Sequence, residues 1–195
     1  MITLQDAVTS LYEIAIAQRK PTSTKRLAVL ADLCIEQLDQ RGIAGAAKER
    51  SVPGIGRSKK WDVAWPAEGK VRLVISLKSL LKNIAGTVPN RLDDLTGEMA
   101  NVQLQSPEIV TGYIMVFHNG NAMRSDGTRW VDFFRDAVDR LSDRDAPAWA
   151  TGMMEASAVV EVDFASGPCI VAEPDIGAFF DRLAFCVRDR NPDIF

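Results

Sequence analysis

The segment Glu108–His118, "EIVTGYIMVFH", opens on one acid and then runs ten residues without a charged side chain. It is rich in β-branched and aromatic residues and is nearly continuously apolar. A run of this kind is a strand covered on both faces. Such a strand needs helices above and below the sheet it belongs to, so it restricts the chain to an α/β architecture.

The flanking segments supply the helices. Residues 3–19 and 24–41 read as two of them, and in the second Leu27, Leu30, Cys34 and Leu38 fall at helical spacing before Gly42. Residues 42–60, "GIAGAAKERSVPGIGRSKK", are small, Gly-containing and basic, and read as a loop. "WDVAWP" and "VRLVISLK" read as a hairpin joined by "AEGK". A further loop is expected over "SLLKNIAGTVP", followed by a helix over "NRLDDLTGEMANVQLQ". In that helix Leu92, Leu95, Met99 and Val102 form an apolar stripe, with Arg91, Asp94, Glu98 and Asn101 on the opposite face. After the central strand come a polar Gly-rich loop, an amphipathic helix "WVDFFRDAVDRLSDR", two late strands ("SAVVEVDF" and "CIVAE") and a closing helix. The expectation is a mixed sheet with helices on both faces.

With 195 residues, 47% apolar and 25% charged, the composition is that of one soluble globular domain. Within it, N-terminal helices occupy about residues 3–41, a core about 50–118, and C-terminal helices and strands about 127–195. No run approaches the ~18–20 apolar residues that span a bilayer, so no membrane partner is expected. The N-terminal stretch has an early acid and no basic start, and Cys34, Cys169 and Cys186 lie far apart. A cytoplasmic location is therefore expected, and a zinc site is not.

Net charge is −3, yet residues 48–91 hold ten Lys or Arg against three acids, a local +7. Segregation of this kind makes a positive surface on an acidic protein, to which a phosphate backbone responds; a solvated basic face has the same composition.

Two residues in this segment carry chemistry. Asp62 lies in the first hairpin strand and Lys78 ends the second, so neighbouring strands can bring them to one end of a sheet. A carboxylate holding Mg²⁺ beside an ammonium is an arrangement suited to phosphodiester hydrolysis. A lysine at a strand end also serves simply to carry its head into water. His118 at the end of the apolar strand reads as bonded to backbone or water rather than as a general base. Trp61 and Trp65, alternating on one strand face, read as core. Arg124 and Arg129, in the polar loop, read either as contacts to phosphates and base edges or as solvated side chains.

The words around Asp62 and Lys78 are more specific. Pro53-Gly54, Arg57, Lys60, Trp61 and Asp62, then Gly69, Lys78-Ser79, Gly86, Asn90-Arg91, Asp93-Asp94 and Gly97 form a pattern over about residues 52–118. That pattern resembles the PD-(D/E)XK nuclease superfamily, and more closely the XhoI-type branch of type II restriction endonucleases. The resemblance implies a restriction-endonuclease-like α/β core, with Asp62 as the metal-binding aspartate and Lys78 as the catalytic lysine. It also implies Mg²⁺, which Mn²⁺ can replace, and double-stranded DNA as substrate. A homodimer is expected to cut both strands of a palindrome. Arg57, Lys59, Lys60, Lys82, Asn90 and Arg91 are the residues expected to touch DNA.

The departure from the pattern is Ser76, which stands where the family has Glu or Asp two residues before the lysine. Two substitutes for that carboxylate are open. One comes from the following helix, as Glu98 or Asp94, with Glu98 favoured by its reach; the other is Glu36 on the second helix. If neither serves, the expected alternative is a nuclease fold with lost or weakened catalysis that acts as a DNA-binding or protein-interaction module. A repair nuclease specific for structure is the third reading.

Overall fold

A computed structural model describes residues 1–118, 122–145 and 150–195. In chain order the elements are α1 (Leu4–Tyr12), α2 (Ala28–Gln40), β1 (Ala47–Val52), β2 (Lys59–Trp65), β3 (Leu73–Leu80), α3 (Ile84–Gln105), β4 (Val110–His118), α4 (Trp130–Asp139), β5 (Ala156–Asp163), β6 (Cys169–Ala172) and α5 (Ile176–Arg190). A π-helical turn (Glu13–Ala17) extends α1, and a 3-10 turn (Thr24–Leu27) leads into α2. The fold is α/β: one six-stranded mixed sheet in the order β1-β2-β3-β4-β5-β6, flanked by five α-helices.

The pairing explains the apolar run Ile109–His118. β4 lies between β3 and β5, parallel to both, and every residue from Val110 to Phe117 is buried. The outer pairs β1/β2, β2/β3 and β5/β6 are antiparallel. On one face α1, α2 and α5 cover Val63, Ile75, Leu77, Ile114 and Val160 with Leu11, Leu30, Cys34, Leu38, Phe180 and Leu183. On the other, α3 and α4 cover Val74, Tyr113, Met115, Phe117 and Val159 with Met99, Val102, Phe134 and Val138. Gly112 lets α5 approach β4 closely, because a Cβ there would lie 3.0 Å from Leu183 Cδ1.

Four expectations need correction. Residues 42–60 are not one loop, because 47–52 form β1. Its sequence, "AKERSV", has no apolar pattern to announce it; pairing with β2 makes it a strand, and its charges suit an open edge. The expected loop over "SLLKNIAGTVP" is also too long, since α3 begins at Ile84 and Pro89 lies within it. As the sixth residue of the helix Pro89 lies past the first turn, so its missing N–H leaves the Ala85 carbonyl without its i→i+4 donor. The amphipathic helix expected over 130–144 ends at Asp139.

Last, Trp61 and Trp65 are both core, but on opposite faces of the sheet. The strand loses its regular alternation at Asp62, where its pairing lapses on both sides. The β2–β3 ladder begins only at Val63↔Ile75, and the β1–β2 ladder skips the Glu49–Asp62 pair, with Glu49 in the left-handed region at φ 56°.

Candidate functional site

The lapse at Asp62 opens a wedge between β2 and β3. The N–H of Leu77, left without a β2 carbonyl, donates to Asp62 Oδ2 at 2.7 Å. The carboxylate is thereby fixed to the strand that carries Ser76 and Lys78. Lys78 then reaches back, its Nζ 3.9 Å from Asp62 Oδ2 and 3.7 Å from Glu98 Oε2.

Glu98 comes from α3. The apolar stripe of that helix, now seen to include Val88, Leu95, Met99 and Val102, packs on the sheet and leaves Glu98 at the boundary above Ser76. Fully buried Ser76 donates its hydroxyl to Glu98 Oε2 at 3.2 Å. Lys59 at the start of β2 forms an ion pair with the same oxygen, and its ammonium lies 4.4 Å above the Trp61 ring. Asp94, one turn earlier on α3, behaves otherwise: it pairs with Arg91 at 3.1 Å and its side chain is 57% exposed, against 18% for Glu98. Glu36 accepts the backbone N–H of Ile2 at 2.7 Å and makes no contact with Asp62, Lys78 or Glu98 among the described residues.

The electrostatics follow from this packing. Burial pushes the Glu98 carboxyl up, but Lys78, Lys59 and the Ser76 hydroxyl together hold it below its ordinary value. Burial pushes the Lys59 ammonium down, as does repulsion from Lys78, against the pull of Glu98 and Asp62. Beneath the site, burial and then the Asp62 charge raise the Cys34 thiol far above the thiolate range, which leaves it a packing residue. Tyr113, paired in register with Ser76, is buried, and its hydroxyl has no partner among the described residues. Burial and then Glu98 raise it likewise.

The loop before β2 is clamped to α3. Asn101 Oδ1 accepts the N–H groups of Gly56 at 2.9 Å and Arg57 at 3.4 Å, and its Nδ2 donates to the Arg57 carbonyl at 2.9 Å. Gly54 makes room for this contact: a Cβ there would meet Asn101 Nδ2 at 2.0 Å. The clamp sets Arg57 and Lys59 along a cleft of about 450 Å³ shared with Asp93, Asp94, Gly97 and Glu98. A second cleft, about 370 Å³, lies on the Asp62 side and is lined by Thr24, Lys25, Lys48, Glu49 and Lys60. Lys82 and Asn90 are exposed, one just beyond β3 and the other on α3.

Elsewhere the side chains that drew attention in the sequence have protein partners. His118 Nδ1 lies 3.2 Å from the Val162 carbonyl and its ring stacks on Phe164. Arg124 sits 4.1 Å over the Phe133 ring, and Arg129 bonds Asp132 and Glu161. Asn119, Gly120 and Asn121 of the same loop lie outside the described residues. Arg26, which no pattern in the sequence marked, reaches the site from the turn before α2, its Nε 3.1 Å from Ser79 Oγ.

Among the described residues, no group of three or more His, Cys, Asp or Glu is gathered as a self-sufficient metal cage. Two carboxylates are nevertheless a fitting set for Mg²⁺, which is typically held by one or two of them together with water and substrate phosphate. Asp62 and Glu98 each commit one oxygen (Oδ2, Oε2) to protein donors, and their other oxygens take no donor among the described residues. No helix among the described residues is long and apolar enough to cross a membrane. Comparison with family models, curated proteins and solved structures gives no match.

Proposed function

We propose that this chain is a metal-dependent endonuclease that cleaves double-stranded DNA at specific sequences, with Asp62, Glu98 and Lys78 at its centre. The observation that supports this most directly is the placement of Lys78 Nζ within 4 Å of carboxylates from two different elements, the second lying over Ser76. Glu98 takes the role that Ser76 cannot: it is anionic, held low by its neighbours, and near enough to Ser76 to be bonded by it. Asp62 and Glu98 would hold Mg²⁺ or Mn²⁺, which supplies an activated water and offsets charge on the phosphate. Lys78 provides a point charge against the developing charge on the phosphoryl oxygens, and the Leu77 N–H keeps Asp62 directed at it. The loop clamped by Asn101 presents Arg57 to the backbone, and Lys60 lines the cleft on the other side of Asp62. A homodimer would let two such sites cut the two strands.

One observation favours the non-cutting alternative, a DNA-binding module. Lys59 already occupies Glu98 Oε2, which neutralises the helix carboxylate. Cleavage of long unmethylated phage DNA with Mg²⁺ or Mn²⁺ separates the readings. Discrete bands are expected from the wild type, with Lys78→Ala, Asp62→Asn and Glu98→Gln each losing about 100-fold or more in rate. A folded wild type that leaves the DNA intact with both metals rejects the sequence-specific nuclease, and if branched and nicked duplexes are left intact as well, the binding module remains.

A further inference from the structure

Arg26 has more positive charge around it than the protein contacts require. Its Nη1 donates to the Ser23 carbonyl at 2.7 Å and its Nε to Ser79 Oγ at 3.1 Å, so the turn Thr24–Leu27 is tied to the residue after Lys78. Among the described residues no carboxylate lies within ion-pair distance of it, and its Nη2 has no hydrogen-bond partner. Burial pushes the guanidinium down from its ordinary value; the Asp62 charge supports it and Arg91 opposes it.

Arg91 adds to the imbalance. Among the described residues it has one carboxylate partner, the exposed Asp94, and its buried Nε has no hydrogen-bond partner. The guanidiniums of Arg26 and Arg91 and the ammoniums of Lys59 and Lys78 are thus set against three carboxylates, Asp62, Glu98 and Asp94, which leaves one cation over. A half-desolvated guanidinium held beside another cation is costly unless an anion joins them. The same turn continues, through Thr24 and Lys25, into the wall of the cleft that Lys48 and Lys60 share with Asp62. Lys48 is held there by Asp32 at 2.6 Å, and Glu49 shares the wall. Lys25 and Lys60 are therefore the cations that lead away from the site without an ion pair among the described residues, and they suit an anion with several spaced charges better than a single one.

We propose that Arg26 contacts the substrate backbone, its free Nη2 donating to an oxygen of a phosphate lying against Lys78, so that the N-terminal helical layer forms part of the nucleic-acid surface. With Nε and Nη1 held by Ser79 and Ser23, the direction of Nη2 is fixed, as that of an ammonium on the same turn would not be. The inference rests on the phosphodiester reading of the site but not on catalysis.

Binding of a short duplex in EDTA, across a series of salt concentrations, tests it without metal or cleavage. Arg26→Gln is expected to weaken binding about tenfold and to reduce the slope of log K against log salt by about 1, while Arg26→Lys keeps the slope. Phenylglyoxal labelling of the wild type, read by mass spectrometry, is expected to show Arg26 protected when the duplex is present. This second measurement holds even if Arg26→Gln fails to fold. An unchanged slope and affinity in a folded Arg26→Gln, equal labelling of Arg26 with and without duplex, or no binding of duplex by the wild type would each overturn the proposal. Binding that depends on Arg26 in a protein that never cuts would remove the nuclease reading and keep this contact. Cleavage by a wild type whose binding ignores Arg26 would do the reverse.

Discussion

The parallel strands β3, β4 and β5 have an ionic cluster at each end, and the two are built on opposite terms. Where β4 and β5 begin, Glu155 is fully buried and accepts from Thr111 N at 2.6 Å, Thr111 Oγ1 at 2.9 Å, Arg190 at 2.7 Å and Arg144 at 3.2 Å. The arginines also donate to backbone carbonyls at Pro107 and Ile109, so this cluster knits chain ends together. Toward the other end, Asp62, Lys78, Lys59 and Glu98 sit in half-buried clefts; Lys59 pairs closely with Glu98, but Lys78 lies 3.7 to 3.9 Å from its two carboxylates, and among the described residues orphan donors remain at Tyr113 and Arg91. One cluster spends its hydrogen-bonding capacity on the fold. The other keeps some in reserve, which is what a site that must meet a ligand requires.

This contrast is most exposed to failure at Glu155. Glu155→Gln leaves two buried guanidiniums without their carboxylate, and breaking a buried pair in this way costs about 3–5 kcal/mol. Urea denaturation should show a loss of that order. Lys78→Ala, by comparison, should melt close to the wild type, while under the nuclease proposal its cleavage is expected to fall about 100-fold or more. A Lys78 variant as damaged as the Glu155 variant would mean that both clusters are structural.

The second prediction concerns pH and is smaller. The Glu98 carboxyl is held below its ordinary value of 4.5 in the folded chain, so the folded state binds fewer protons there than the unfolded one. Its contribution to stability is therefore present above about pH 4.5 and lost as the pH falls through the folded value. Denaturation at a series of pH values should show wild type more stable than Glu98→Gln near neutrality, with the gap closing in acid. A gap that persists at low pH would place the effect in packing and not in charge. Lys59→Met removes one of the charges that hold Glu98 down, and should move the closing point to higher pH.

The parts of this molecule that were legible beforehand are those written in local pattern. The β4 run, the β2–β3 hairpin and the stripe Leu95, Met99 and Val102 on α3 each follow from periodicity. Neighbouring strands could be expected to bring Asp62 and Lys78 to one end of the sheet, whereas Glu98 was one of three candidates suggested by the resemblance, and no periodicity chose among them; their chemistry remains a proposal. What was not legible depends on partners remote in the chain. β1 is a strand because β2 lies beside it, with charges where a pattern should be. Arg26 meets Ser79 across fifty-three residues, and Glu155 meets Arg190 across thirty-five. No window of sequence contains either contact. The pairing of Lys59 with Glu98 likewise depends on where α3 lands, and that is fixed by the other face of the helix.

The smallest predicted effect probes how firmly the loop before β2 belongs to the site. Asn101 makes three side-chain hydrogen bonds to Gly56 and Arg57, all on an exposed face where water competes. Asn101→Ala should therefore cost only about 1 kcal/mol of global stability. Its local effect should be larger, because those bonds hold the backbone that aims Arg57 along the cleft. Hydrogen exchange at the Gly56 and Arg57 amides should speed up in the variant, while exchange in β4 stays slow. One contact survives the substitution: the Ile55 N–H donates to the Asn101 backbone carbonyl at 2.8 Å. If Gly56 and Arg57 stay protected in Asn101→Ala, that backbone bond is enough to seat the loop, and the side chain serves only to fill the space that Gly54 leaves open.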